Sequence, residues 1–453
     1  MGRFVTPGDD SRPESVVVRI DGFGYGGEGY SRTPDGFLSV WHALPGERVE
    51  VLPGDYHRGR AWGRLVRVLE PAGRRVDPKC SHYDSCTGCA LRHIGRSDER
   101  SWKLTQLAEI LERYGPSTST IELKWVGPEE RDGHRERANY QIDPNAEMPL
   151  GFRGPSGTHS PIPDCPAQSD GLNQLVCEIG AWLKSDLFGL FVPSSVEILH
   201  SQEGHSLLVL KTGVPISSDL LAGLRRAAET SAPKRLNIAL LGPNQVTTGR
   251  DQVTTLVGKL GHQASPFGEV PFGVWTHTTL APAEAMYGWV GEHLRGQADR
   301  LLDVCSGVGG ISIRFAHRFS EVLALDVNHD ALGCLSQCAA RRDLDQIKTR
   351  AGKVETILPR LVKEQQGTPP VSTAVINPMR IPLGPGPLET LPELGVTKIV
   401  YLGPSPVSAA KDARILAGLG YEVVDAAGID LQPGTGRVML GLAMRLVSGA
   451  QEA

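Results

Sequence analysis

Three cysteines fall within ten residues, Cys80-x5-Cys86-x2-Cys89, in the segment KCSHYDSCTGC. In a reducing compartment such a cluster binds metal far more often than it forms disulfides. Thiolates suit zinc or an iron–sulfur cluster, and both call for a fourth ligand. A zinc ribbon takes it from a second Cys-x2-Cys, which the sequence lacks. The remaining choices are His82, His93 or a distant cysteine. Cys165 in SPIPDCP has prolines on both sides, in a turn-rich stretch able to carry a thiolate to the site. Three cysteines with a distant fourth beside proline lean towards [4Fe–4S]. Cys177, Cys334 and Cys338 lie in helical patterns and are expected to be small buried hydrophobes.

A second chemical centre lies towards the C-terminus. RLLDVCSGVGGISIRFA reads as a buried strand, a tight glycine turn and a helix opening near Ile311. Gly307, Gly309 and Gly310 let backbone approach a ligand at the helix start. About 20 residues further on, Asp326 ends a second strand, LALD, where an acid takes ribose hydroxyls. The turn opens with Asp303 and lacks the G-x-G-x-x-G of pyrophosphate binders, which favours S-adenosylmethionine (SAM) over NAD. A third strand ends in Asn377-Pro378-Met379-Arg380, where a substrate-facing loop belongs in a doubly wound sheet. A fourth strand, KIVYLG, runs into Gly403-Pro404-Ser405-Pro406, and a hairpin closes the pattern.

The elements that must position these residues fall into three regions of a 453-residue chain, within the two to four domains expected at this length. Residues 14–72 hold about five short strands with glycine turns, the pattern of a small OB-like β-barrel. Residues 73–265 read as a mixed α/β domain carrying the cysteines, entered through an amphipathic helix over 95–115. Residues 266–453 read as a Rossmann-like domain. The fold class is thus α/β, multidomain. A net charge of −4 excludes a chain coated in positive charge, yet between Arg58 and Lys103 eleven basic residues meet five acidic ones, an excess suited to phosphates. No stretch approaches the ~20 apolar residues of a membrane span. The opening MGRFVTPGDDSRPES lacks a signal peptide's apolar core, so a cytoplasmic protein is expected.

Taken in order, GFGYGGEGYSR, PKCSHYDSCTGCALRH, RERANYQI, SPIPDCP, LLDVCSGVGG, LALDVN, NPMR and VYLGPSPVSAAKD resemble the SAM-dependent RNA uracil-C5 methyltransferases. These enzymes join a TRAM domain, an iron–sulfur central domain and a Rossmann-like class I methyltransferase domain. The resemblance implies that Cys80, Cys86, Cys89 and Cys165 hold a [4Fe–4S] cluster. It also implies that Asp303, Gly307, Gly309, Gly310, Asp326 and Asn377 face SAM, and that the partner is rRNA or tRNA.

The departures are as informative. The family's nucleophilic cysteine falls on Pro404, its base glutamate on Met439, and its Asp-Pro-x-Arg on Asn377–Arg380. Its Phe-Gln-Val-Asn becomes Phe272-Gly273-Val274-Trp275. C5 of uracil becomes nucleophilic only after a thiolate adds to C6, and a base must later remove the C5 proton. Proline and methionine do neither. The favoured expectation is therefore direct methylation of a heteroatom, with Asn377 accepting from an exocyclic amine and Arg380 positioning phosphate or base. The alternatives are a non-catalytic RNA-binding paralogue that keeps fold and cluster, or SAM-dependent chemistry on another substrate.

Overall fold

The computed structural model describes residues 14–447 except 117–121, 155–156, 244–250, 265–266, 278, 295–297 and 365–369. It is a mixed α/β structure with sheets of six, seven, two and eight strands. Among the described residues no helix is long and apolar enough to cross a membrane.

The six-stranded sheet lies within residues 16–70, and its core is Ile20, Leu38, Val40, Val49, Val51 and Ala61. Its longest strand, Arg60–Glu70, alternates exposed and covered residues through its first half, as expected for a sheet with one wet face. On the wet face Trp41 stacks on Trp62 at 5.1 Å. The seven-stranded sheet spans residues 137–257, and helices Asp170–Trp182 and Ser218–Ser231 pack on it.

The eight-stranded sheet positions the glycine turn. Ala298–Val304 is flanked by Phe319–Asp326 on one side and Thr373–Ile376 on the other, both parallel to it. Ile347–Ala351 extends the first side, Lys398–Gly403 the second. Leu301, Leu302 and Val304 are fully buried, the continuous apolar run of a strand covered on both faces. Strand order reverses beside Ala298–Val304, so a crevice opens at the carboxyl ends of the strands there. The hairpin Tyr421–Ile429 and Met439–Leu446 completes the sheet in antiparallel fashion.

An eighth strand comes from early in the chain: Leu123–Val126 pairs in parallel with Tyr421–Ile429. The helix before it, Arg96–Tyr114, packs Leu107, Ile110 and Leu111 into the same core as Ala409, Ala410 and Ala413 of helix Pro406–Gly418. Its C-terminal stop is Gly115, whose N–H donates to the Leu111 carbonyl at 2.8 Å. The stripe expected on this helix holds, with one difference. Lys103, next to the stripe, is fully buried. Its ammonium donates to Glu99 Oε1 at 2.8 Å and Asp430 Oδ1 at 3.0 Å, and Arg96 and Arg131 complete the group. Charges are tolerated inside a protein when paired in this way.

Candidate active site and cysteine centre

The turn after Ala298–Val304 is built from left-handed backbone. Cys305, Gly307 and Gly309 have φ of 60°, 54° and 86°. Helix Gly310–Phe315 follows. A side-chain carbon at Gly309 would lie 2.2 Å from Leu335, and one at Gly310 2.2 Å from the Tyr287 hydroxyl. Above Gly307 nothing lies within 4 Å, so the backbone there is open to a ligand. Asp326 braces the turn: Oδ2 accepts from the Gly307 N–H and Oδ1 from the Asn328 N–H, each at 2.8 Å. A carboxylate offers about four acceptor sites, so two remain for sugar hydroxyls.

Asp303 has a different place from the one its motif suggests at first sight. It is fully buried, and its Oδ2 accepts from the N–H and hydroxyl of Ser312 at 3.1 and 2.6 Å. It thus ties the strand to the helix behind the turn. Burial pushes its pKa up to about 6, against the two Ser312 bonds that favour the charged form. Its Oδ1 is buried with no protein partner among the described residues.

Asn377 leaves its strand half-buried beside the turn, its N–H donating to the Val304 carbonyl at 3.1 Å. Met379 and Arg380 are exposed beyond it. The far end of this loop is fixed by buried Asp412, which accepts from the N–H groups of Leu383 and Gly384 and from the Tyr401 hydroxyl. Ser408 Oγ donates to the Arg380 carbonyl at 3.0 Å, so the loop lies against the Pro404–Ser408 turn. Gly403 pairs with Leu440 across the sheet, which sets Pro404 and Met439 side by side. The two positions where the resemblance expects cysteine and glutamate therefore come together. Met439 is buried in a core with Trp289 and Val400. The nearby thiol of Cys305 is pushed up to about 12 by burial and by Asp326, Asp303 and Glu355, so it stays protonated at neutral pH.

Cys80, Cys86, Cys89 and Cys165 line one recess, walled by Tyr83, Phe152 and Ile162. They come from two distant segments, held together where the Thr87 N–H and hydroxyl donate to the Arg153 carbonyl. The thiols border a space and do not meet at a point. Among the described residues no group of three or more His, Cys, Asp and Glu is placed to hold a single metal ion. Burial raises the pKa of Cys80, Cys86 and Cys165, a cost that an electron-poor centre binding thiolate would offset. Arg92 and Arg135 line the same recess and supply positive charge beside it. Burial opposes the charge of Arg92, but Cys89 and Asp132 outweigh it and its pKa rises. Of the histidine candidates, His82 lies at the recess and bonds Asp164 at 2.6 Å. His93 is buried, with Nδ1 2.6 Å from the Tyr83 hydroxyl. Cys334 and Cys338 are buried as expected, but Cys177 is exposed and its thiol donates to the Pro163 carbonyl. Its helix turns that face to the surface.

Sequence reasoning missed how the Gln432–Gly436 loop joins these parts. The Gly434 N–H donates to buried Glu99, and the Gly434 carbonyl accepts from the Leu91 N–H two residues past Cys89. A side-chain carbon at Gly436 would strike the Gly26 carbonyl of the glycine hairpin at 2.2 Å. The signal was present as Gly-Thr-Gly, but its partners lie hundreds of residues away.

Similarity to known proteins runs along nearly the whole chain. A family model described as RNA cap guanine-N2 methyltransferase matches residues 298–375, the glycine turn and its flanking strands. An uncharacterised RNA methyltransferase of Clostridium acetobutylicum is 25% identical over 446 residues, covering 93% of this chain and 95% of its own. The 23S rRNA (uracil(1939)-C(5))-methyltransferase RlmD of Aeromonas salmonicida is 24% identical, covering 97% of this chain and 98% of its own. Among solved structures, the tRNA (uracil-54, C5)-methyltransferase of Pyrococcus abyssi in complex with S-adenosyl-L-homocysteine superposes with a TM-score of 0.71. It has 17% identity and covers 94% of this chain and 99% of that one. The chain is thus a relative, along nearly its whole length, of RNA methyltransferases that include the uracil-C5 enzymes, as its motifs led one to expect.

Proposed function

We propose that the protein is a class I SAM-dependent RNA methyltransferase that transfers methyl to a heteroatom without a covalent enzyme–base intermediate. The observation that carries this reading is the contrast along one end of the eight-stranded sheet, where its parallel strands reach their carboxyl ends. The Cys305–Gly310 turn and Asp326 retain an open donor site, while Pro404 and Met439 meet where a thiol and a base are needed. Gly307, Gly309 and Gly310 would admit the cofactor, and the two free acceptor sites of Asp326 would take its ribose. Asp303 would hold the helix behind it. Bound SAM supplies an electrophilic methyl group. A nitrogen lone pair needs no activation by a protein nucleophile, only placement. Asn377, at the strand end beside the turn, is suited to accept from an exocyclic amine, and Arg380 to hold the strand by charge.

In this reading residues 14–72 are a TRAM-type, OB-like barrel offering an RNA surface, 73–265 a cluster-bearing region that lends helix Arg96–Tyr114 and strand Leu123–Val126 to the neighbouring sheet, and 266–453 the methyltransferase domain. Cys80, Cys86, Cys89 and Cys165 hold a [4Fe–4S] cluster, a reading supported by four thiols lining one recess beside Arg92 and Arg135. The partner is rRNA or tRNA in the cytoplasm.

Calorimetric titration with SAM, then mass spectrometry of nucleosides from RNA incubated with labelled SAM, tests the activity. A base methylated on nitrogen or oxygen is expected. No SAM binding at millimolar concentration would leave a non-catalytic RNA-binding protein, and 5-methyluridine surviving replacement of Pro404 would defeat the chemical argument. Anaerobic purification should give a brown protein that Cys89→Ser bleaches; a colourless, zinc-loaded protein counts against the cluster.

A further inference from the structure

Arginines in this molecule divide into two kinds. Arg92 pairs with Asp132, while Arg96 and Arg131 pair with Glu99 and Asp430 or Glu99 alone. Many others make no ion pair with any described carboxylate, and Arg135, Arg380 and Arg437 are among them. None of these three guanidiniums donates a hydrogen bond to a described residue. The backbone brings them towards one another: Gly434 lies against the Arg92 side chain, which lines the cysteine recess with Arg135, and the Gly403–Leu440 pair joins the strand that follows Arg437 to the turn that holds Arg380. Arg380 follows Asn377 and is held against the Pro404 turn through its carbonyl. Arg437 stands two residues before Met439, exposed at the end of the Gly434–Gly436 loop. Arg135 lines the cysteine recess. Its N–H donates to the Ala167 carbonyl at 2.8 Å and its carbonyl accepts from Ser169 at 3.0 Å, so its backbone is pinned just past Cys165. Although exposed at the surface, Arg437 is flanked closely enough to lose part of its hydration, and this first, then repulsion from Arg380 and Arg135, lowers its pKa. Holding like charges together without a counter-charge is unfavourable unless an anion completes the group.

We propose that Arg135, Arg380 and Arg437 form a phosphate receptor that grips the backbone of a single RNA strand between the cysteine recess and the Asn377 loop. It rests on the reading of the substrate as RNA and adds to it the side chains that hold the strand. Guanidiniums are the side chains that best match phosphate oxygens in forked pairs. Three of them on the rim suit two successive phosphodiesters of a strand whose target base is turned inward, where Pro404 and Met439 leave an uncharged wall. The receptor has no base and no nucleophile of its own, so it binds and does not react.

The test uses the full chain and a fluorescein-labelled single-stranded RNA of mixed sequence, with affinity measured across a salt series. Arg437→Gln and Arg380→Gln are each expected to weaken binding about tenfold and to flatten the dependence of log affinity on log salt by about 0.7 per lost contact. Arg135→Gln should do the same, and Arg437→Lys should restore the salt slope because it keeps the charge. Salt slopes equal to the unmodified protein's in all three glutamine variants overturn the receptor. So does a loss of slope seen with ADP as probe but not with RNA. Methyl transfer is read separately. Transfer by the unmodified protein beside unchanged slopes in the variants defeats the receptor alone, while flattened slopes in the variants beside no transfer by the unmodified protein support the receptor and defeat the enzymatic reading.

Discussion

On one side of the sheet's carboxyl end, the Cys305–Gly310 turn is held by groups that have no slack. Asp326 spends one lone pair of each oxygen on backbone N–H groups, Asp303 is locked to Ser312, and Gly309 and Gly310 are filled against Leu335 and Tyr287. On the other side, Pro404 and Met439 keep the packing of their elements and carry no titratable atom. Met439 is as buried as its neighbours, and Pro406 opens helix Pro406–Gly418 at its first position, where a missing N–H costs little. The comparison teaches that geometry and reactivity are separable. In the proposed reading the fold lacks a nucleophile and a base and keeps the surfaces that would present them, because presentation resides in backbone register and packing. The turn proposed for the methyl donor is less free to change, since the atoms that shape it would also be the ones that bind.

The sharpest break in that comparison comes at Asp326. Asp326→Ala removes the acceptor for two backbone N–H groups and, with it, the acceptor sites proposed for ribose. SAM affinity should fall by about a hundredfold or more, from charge-assisted bonds of about 1.5–3 kcal/mol each. Calorimetry reads it directly. Affinity within about threefold of the unmodified protein, roughly 0.7 kcal/mol, would mean that the turn does not hold the nucleoside.

Next in size is a pH effect at Asp303. Its folded pKa, about 6, stands above the 3.8 of an ordinary aspartate. A raised carboxyl favours the fold while protonated. Its contribution is complete below about pH 4 and is lost as pH rises through 6, up to about 3 kcal/mol in all. Asp303→Asn cannot ionise, so its stability relative to the unmodified protein should improve between pH 4 and 7. Denaturant melts at the two pH values check it. A difference that does not change with pH would show that Asp303 is not held in a dry site.

Much of this was legible beforehand, for a physical reason that also marks the limit. The strand–turn–helix at 301–315 and the helix over 96–114 are local patterns: a run of apolar residues, glycines where φ must be positive, and an amphipathic period closed by Gly115. Residue type and proline context made Cys165 one candidate beside His82 and His93, the resemblance singled it out, and it lines the same recess as the other three thiols. What local pattern cannot carry is the distant partner. Lys103 reads as a solvated charge until Asp430, more than three hundred residues later, is seen 3.0 Å away. Leu123–Val126 reads as part of the central region, yet its hydrogen bonds run to Tyr421–Ile429. Cys177 sat in a helical period, but the period does not say which face meets the sheet.

Asn377, half-buried where its strand ends beside the turn, is the side chain proposed to accept from a target amine. Asn377→Ala should slow methyl transfer about tenfold or more while leaving SAM affinity near its starting value. Single-turnover rates at saturating SAM measure this. A variant that loses cofactor affinity and keeps its rate would move Asn377 to the donor half.

The smallest expected effect is the most discriminating. Pro404→Ala should leave methyl transfer within about twofold, because a position that supplies no electrons and no proton can contribute only conformation. The same substitution should cost less than about 1 kcal/mol of stability, by releasing a fixed φ in the unfolded chain. Pro404→Cys should not create 5-methyluridine either. The new thiol could add to C6, but Met439 beside it has no site to take the C5 proton, so the adduct could not resolve to product. Only Pro404→Cys combined with Met439→Glu would restore both electron pair and base, and mass spectrometry of the nucleosides would show whether it does. If the single cysteine variant made 5-methyluridine, a base elsewhere in the pocket would have to exist, and the turn at 404 would be one residue from the uracil-C5 reaction.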